Sequence, residues 1–297
     1  MTILVTGASG LIGSRLCKRL VEDGLEVVGL VHKTVSPTLS SIPQSNFTIE
    51  KCDIRDCKSV KSIIRKHLPE TVFHLAAHLP HTSNPDFVKV NAVGTINLLD
   101  ACYANCVSNF VYASSMSVYS TPPSYLPVNE AHPTQPDNTY GRCKLIGELL
   151  CECLSRVLRT VVIRYSSVFG AGDNSRAAYH FMKAALEGKS IPVDGDGSQS
   201  SDFIYVDDAV TGTLLALDKG KSGQVYNIGS GKETSVLELA YHVNHLTKPA
   251  PGVVLSGKPV ARPFRFIADI GKARSELGYS PSSLVDGLRK YREEMMK

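Results

Sequence analysis

The chain has 297 residues, 43% of them hydrophobic and 20% charged, with a formal net charge of +4. That composition is ordinary for a globular protein, and the length suffices for one large domain or two unequal ones with a sizeable core. Lys and Arg are scattered rather than gathered into a stripe, which argues against a nucleic-acid partner and is compatible with an anionic small molecule.

In chain order, strands are expected at 2–6, 26–31, 47–51, 71–75, 109–114 and 160–164, with helices at 11–23, 56–66, 86–105 and 139–157. Such alternation implies a parallel sheet with helices on both faces, an α/β, Rossmann-type doubly wound fold. The strands read as continuous apolar runs, as in Asn109-Phe110-Val111-Tyr112-Ala113, which suits strands covered on both sides. After residue 165 the pattern loosens, with Gly-, Ser- and Pro-rich stretches at 170–175, 194–201 and 248–263. The segments 202–217 and 224–228 look regular again and are expected to return to the large sheet. The expected division is a sheet domain over 1–164 with returning segments near 202–228, and a smaller substrate-binding region from 165–201 and 229–297. No stretch approaches the roughly 18 apolar residues of a membrane span. No basic and apolar leader opens the chain, so a cytoplasmic location is expected.

Gly7, Gly10 and Gly13 form a G-x-x-G-x-x-G turn between the first strand and the first helix. A tight turn with close backbone approach leaves no room for Cβ, and the helix N-terminus faces a pyrophosphate. Strand before and helix after is the context that makes the motif a dinucleotide site. An acidic residue at the end of the second strand ordinarily holds the ribose, yet this chain has Val31-His32-Lys33 there. His32 and Lys33 can neutralise a 2′-phosphate, so NADP is expected slightly ahead of NAD. Asp53, past the third strand, can accept from an adenine amino group or cap the next helix.

Tyr140 and Lys144 lie four residues apart on an expected helix and so share a face. A free phenol has a pKa near 10. Acid–base work near neutrality needs a drop of roughly three units, about 4 kcal/mol. A neighbouring ammonium and a cationic nicotinamide supply the required sign. Ser114 and Ser115 follow the fifth strand, and chemistry alone does not choose between their hydroxyls. His74, His78 and His81 cluster without Asp, Glu or Cys at ligand spacing, so no metal site is expected. The eight cysteines, none in a CxxC pair, read as buried reduced thiols.

Taken in order, several segments resemble the extended short-chain dehydrogenase/reductases of the NAD-dependent epimerase/dehydratase family, over nearly the whole chain. They are the glycine motif at 7–13, Asp53-Ile54-Arg55, His74–Ala77, Asn91–Thr95, Ser114–Tyr119, Tyr140–Lys144, Arg164–Gly170 and Asp202–Asp208. The resemblance implies Ser115 as the active-site hydroxyl, Tyr140 as acid/base, and Lys144 also holding the nicotinamide ribose. It places Gly7, Gly10, Leu11, Ile12 and Gly13 at the cofactor, Asp53 and Ile54 along the adenine, and Leu75, Ala76 and Ala77 beside the cofactor. Asn91 would support that loop, and the helices 86–105 and 139–157 would build a homodimeric four-helix bundle. Three departures bear on the substrate. Ser167 stands where the family has Asn, and Ser201 where it has Arg, both positions that contact the substrate pyrophosphate. Arg262 looks like the surviving phosphate arginine, with Phe264-Arg265 replacing Gly-Asp and Arg265 a candidate to compensate. Met116-Ser117 replaces the Asp-Glu of the dehydratases, which disfavours 4,6-dehydration. The expected function is a nucleotide-sugar 4-epimerase using NAD(P). The alternatives are an NADPH-dependent 4-keto-sugar-nucleotide reductase and a non-catalytic NAD(P)-binding regulator.

Overall fold

A computed structural model describes residues 1–79, 86–247, 252–258 and 264–297. Seven parallel strands form the main sheet: β1 (Thr2–Thr6), β2 (Glu26–Val31), β3 (Phe47–Lys51), β4 (Thr71–His74), β5 (Asn109–Ser115), β6 (Arg159–Tyr165) and β7 (Gln224–Ile228). Their order is β7-β6-β5-β4-β1-β2-β3. From β1 the chain runs outward to β2 and β3, then crosses back to β4 and builds the other half. The carboxyl ends of β1 and β4 therefore flank a topological switch point, where open α/β sheets bind ligands.

Both faces of the sheet are buried, and successive residues feed different cores. Ile3 and Val5 pack into one cluster and Leu4 into the other. This explains the unbroken apolar runs of the strands. The covering helices are α1 (Leu11–Glu22), α2 (Cys57–His67), α3 (Gly94–Ala104), α4 (Thr139–Leu154) and α5 (Val206–Lys219). Among the described residues, no helix is long and apolar enough to cross a membrane.

Two regions depart from the expected elements. The helix expected over 86–105 opens with a π-helical turn, Lys89–Val93, before α3. The segment from 202 does not rejoin the main sheet, because β7 already occupies the free edge of β6. Phe203–Tyr205 pairs instead with Ser167–Phe169, the continuation of β6, and α5 follows at once.

The position of α4 matters most for the site. Asn138 caps it, its side chain accepting from the Gly141 backbone N–H at 2.9 Å. A Cβ at Gly141 would lie 2.0 Å from the Ser117 carbonyl oxygen, and one at Gly147 would lie 2.3 Å from the Tyr112 ring. Glycine at both positions lets α4 press onto β5 and brings Tyr140 beside the end of that strand.

Candidate active site

Two adjoining cavities lie across the switch point. The larger, about 450 Å³, runs from Gly7 and Gly10 past His32, Lys33, Asp53 and Ile54 to Leu75, Ala76 and Ala77. The smaller, about 190 Å³, shares Gly7, Gly10, Leu75 and Ala77 with it and is lined further by Leu11, Ile12, Gly13, Ser115, Tyr140, Lys144, Ser166, Val168 and Arg176.

The glycines are there for contact. Gly7 has φ +67°, and a Cβ on it would sit 2.7 Å from the Ala76 backbone nitrogen. A Cβ on Gly13 would meet the Gly7 carbonyl oxygen at 2.2 Å. Gly10 starts α1 without a side-chain cap. The first-turn N–H groups of a helix have no intrahelical partner, so this end is suited to an anion. The cradle fits the pyrophosphate of a nicotinamide dinucleotide.

The loop opposite is held by buried polar groups. Thr6 Oγ1 accepts from the Ala76 N–H at 3.2 Å and meets His74 Nδ1 at 2.8 Å, so its own proton goes to that nitrogen. Thr95 donates to the Asn91 carbonyl at 2.9 Å and accepts from His74 Nε2 at 2.9 Å. His74 is thus a neutral core histidine, with its pKa pushed down to about 3 by burial and then by the nearby Lys144. Asn91 is buried and clamps the loop from behind. Its Oδ1 accepts from the His78 N–H at 2.8 Å and its Nδ2 donates to the His78 carbonyl at 2.9 Å. His81 lies outside the described residues.

The adenosine end corrects the sequence expectation. No carboxylate follows β2 in sequence, but β2 pairs with β3, Val31 opposite Lys51, and this places Asp53 beside His32. His32 Nε2 is 3.4 Å from Asp53 Oδ2. Arg55 holds Asp53 through Nε at 2.9 Å and Nη2 at 2.6 Å, and its hydrogen bonds take the Asp53 pKa down to about 2. Nor does Asp53 cap the following helix. That cap is Asp56, which accepts from Lys58 and Ser59.

At the end of β5 the two serines part company. Ser114 donates to buried Glu148, which also holds Arg164 through a 2.6 Å ion pair. Arg164 donates to the Tyr119 hydroxyl at 2.7 Å, and Tyr119 donates to Asn227 at 2.9 Å. Both serines line the small cavity with Tyr140 and Lys144, but the Ser115 hydroxyl takes no part in the Glu148 network. Ser115 Oγ accepts from the Ser117 N–H at 3.1 Å.

Lys144 Nζ donates to the Ala113 carbonyl at 2.6 Å and lies 5.8 Å from the centroid of the Tyr140 ring. Burial lowers its pKa to about 8 against the upward pull of Glu148. Burial raises the Tyr140 phenol to about 12, with Arg176 and then the Ser115 hydroxyl acting downward. An amine that loses its proton near 8 is neutral when a phenol ionises near 12. The chain's own groups therefore leave Tyr140 far above neutrality, and the expected contribution of a cationic nicotinamide is still required.

On the substrate side, Ser166 and Val168 face the small cavity. Ser167 turns to Ser201, their hydroxyls 2.7 Å apart. Arg265 is engaged by Glu233, Nε to Oε1 at 2.5 Å and Nη2 to Oε2 at 2.8 Å. Arg262 lies outside the described residues. Sequence reasoning missed Arg176, which reaches the cavity from the start of the helix Ala177–Leu186.

A dinucleotide cradle beside a Ser–Tyr–Lys cavity on a doubly wound sheet defines a nicotinamide-dependent enzyme of the short-chain type. The pattern of the NAD dependent epimerase/dehydratase family matches residues 3–229, and the chain belongs to that family of sugar-nucleotide enzymes. It is 34% identical over 312 residues to a UDP-glucose 4-epimerase of Mycolicibacterium smegmatis, covering 98% of this chain and 97% of the relative. Its fold matches the Thermotoga maritima UDP-glucose 4-epimerase with UDP-glucose at TM-score 0.91 and 30% identity, covering 100% and 99% of the two chains. It also matches a Bacillus cereus UDP-glucuronic acid 4-epimerase in complex with UDP-glucuronic acid and NAD at TM-score 0.87 and 31% identity, covering 100% of both. Relatives at 28% and 32% identity include a dehydratase and a decarboxylase of nucleotide sugars.

Proposed function

We propose that the enzyme inverts C4 of a UDP-sugar, using NAD that it regenerates in each cycle. The observation that carries this reading is the convergence of Ser115, Tyr140 and Lys144 on one cavity continuous with the Gly7–Gly13 cradle. Ser115 hydrogen-bonds the C4 oxygen and orients it. Tyr140 takes the hydroxyl proton and later returns it to the same oxygen. Lys144 holds the ribose next to Tyr140. The nicotinamide supplies a hydride acceptor that gives the hydride back, and its positive ring adds charge beside the phenol. Inversion at C4 involves no net oxidation, so bound NAD would serve only as a transient hydride acceptor while Ser115 and Tyr140 hold the C4 oxygen.

Support for NAD over NADP comes from Asp53. An ionised carboxylate 3.4 Å from His32 offers oxygens to a free ribose hydroxyl and repels a 2′-phosphate. His32 and Lys33 line the same wall and are the features favouring NADP. Exposed Val93, Ile96, Tyr103, Ile146 and Leu149 on the neighbouring helical segments support a homodimer through this face. The eight thiols are free, in accord with a cytoplasmic setting, but contrary to expectation Cys106 and Cys153 are exposed and Cys57 is half-buried.

The test is turnover by freshly purified protein. Interconversion of a UDP-sugar and its C4 epimer without added reductant is expected. Stoichiometric NADPH consumption would overturn the reading in favour of a 4-keto-sugar reductase. Tyr140→Phe should lower kcat by about 10²–10⁴-fold while the released-nucleotide assay still finds bound NAD.

A further inference from the structure

Among the described residues, the charged side chains lining the small cavity are Lys144 and Arg176, and no carboxylate lines it. Lys144 gives one donor to the Ala113 carbonyl and, on the reading above, faces the ribose. Arg176 is placed differently. It stands at the N-cap of the helix Ala177–Leu186, and its Nη1 donates to the Val168 carbonyl, which ties the guanidinium to the strand running on from β6. Asp173 is its nearest counter-charge, yet the closest approach, Nε to Oδ2, is 3.6 Å, too long for a hydrogen bond. The other Asp173 oxygen accepts from the Ser175 N–H and hydroxyl at 3.1 and 2.9 Å. The guanidinium therefore keeps donors for a ligand at the rim of the site. A planar fork of this kind matches a carboxylate in two-point fashion.

We propose that Arg176 reads a carboxylate on the sugar, so that the substrate is a nucleoside-diphosphate uronic acid. This rests on the epimerase reading above. The reasoning is topological. With C4 at Ser115 and Tyr140, the C6 substituent is two bonds away, whereas the diphosphate hangs from C1 across the ring. Arg176 shares the wall with both catalytic hydroxyls. It is also the leading charge that eases ionisation of Tyr140. A neutral hydroxymethyl group would leave its remaining donors poorly used.

The experiment compares UDP-glucuronic acid with UDP-glucose. Wild type should favour the acid in kcat/KM by about tenfold or more, the value of one charge-assisted hydrogen bond. In Arg176→Gln that ratio should fall about tenfold, and Arg176→Lys should recover part of it. Calorimetry should show Kd for the acid rising in Arg176→Gln while Kd for UDP stays put, with the melting temperature checking the fold. A wild-type preference for UDP-glucose would overturn the proposal. So would a variant that weakens both sugars and UDP alike, since Arg176 would then serve the diphosphate. Turnover of no sugar would sink the epimerase reading alone, because the binding comparison still decides the role of Arg176.

Discussion

Replacing Glu148 with Gln tests how the floor of the site is held. The Glu148 and Arg164 side chains are each only 6% exposed, and their ion pair is 2.6 Å long. Burying a charge is tolerable only while it is paired, so neutralising Glu148 strands the Arg164 guanidinium in the interior. Breaking such a pair from one side costs about 3–5 kcal/mol. For a chain of this size about 1 kcal/mol corresponds to roughly 2 °C, giving a fall in melting temperature of about 6–10 °C. A second readout separates this from a general loss of packing. Glu148 lies one turn beyond Lys144 and is the leading influence keeping the Lys144 proton on. Without that carboxylate the Lys144 pKa falls further below its ordinary value. The protonated amine is the form that assists the phenolate, so the alkaline limb of the pH–rate profile should move to lower pH. Calorimetric melting and kcat/KM between pH 6 and pH 10 measure both effects. Ser114→Ala, which removes one hydrogen bond and leaves the ion pair, should cost only about 1 kcal/mol. An unchanged melting temperature in Glu148→Gln, or an alkaline limb that stays in place, would refute the reasoning.

Two further outcomes are expected. Gly7→Ala places a non-glycine residue at φ +67° and a Cβ 2.7 Å from the Ala76 nitrogen. The left-handed conformation alone costs about 1–2 kcal/mol, so NAD should bind more weakly by calorimetry, with an unchanged Kd counting against the cradle. Leu149→Glu puts a charge on the exposed apolar face of α4. Sedimentation should then report a monomer where wild type is a dimer, and a monomeric wild type would remove the dimer proposal.

The parts of the structure legible in the sequence were those set by local pattern. The strands 2–6, 26–31, 47–51 and 224–228 have the expected limits, and the first two are short, mainly apolar runs closed by polar or glycine residues. The glycine turn was legible because three positions that reject Cβ fall at fixed spacing. What escaped was set by pairing between segments distant in sequence. Asp53 reaches His32 only because β3 lies beside β2. Ser114 and Ser115 have the same chemistry and both line the cavity, and only the packing of α4 on β5 ties the Ser114 hydroxyl to Glu148 and leaves that of Ser115 outside that network. Ser167 turns to Ser201 while Tyr165, Ser166 and Val168 line the site, a distinction that a motif read residue by residue does not carry. Arg176 belongs to no motif quoted for the family. A cation just after the Gly172-Asp173-Asn174-Ser175 turn was the available signal.

The electrostatics of Tyr140 imply a division of labour between chain and cofactor. From about 12, bringing the phenol to about neutral requires roughly five units, about 7 kcal/mol. A unit positive charge about 6 Å away in a medium of effective dielectric about 20 supplies roughly 3 kcal/mol. The influence of Arg176 is already included in the value of about 12. Two more cations are therefore needed, and the site offers Lys144, provided it keeps its proton, and an oxidised nicotinamide. With the reduced cofactor one of the two is lost. Tyr140 should thus ionise at distinctly lower pH in the NAD complex than in the NADH complex, which would keep the proton on the phenol while the sugar is a ketose. Ultraviolet difference titration of wild type against Tyr140→Phe, with each cofactor in turn, measures this shift. Equal titration in the two complexes would mean that the nicotinamide charge does not tune the phenol.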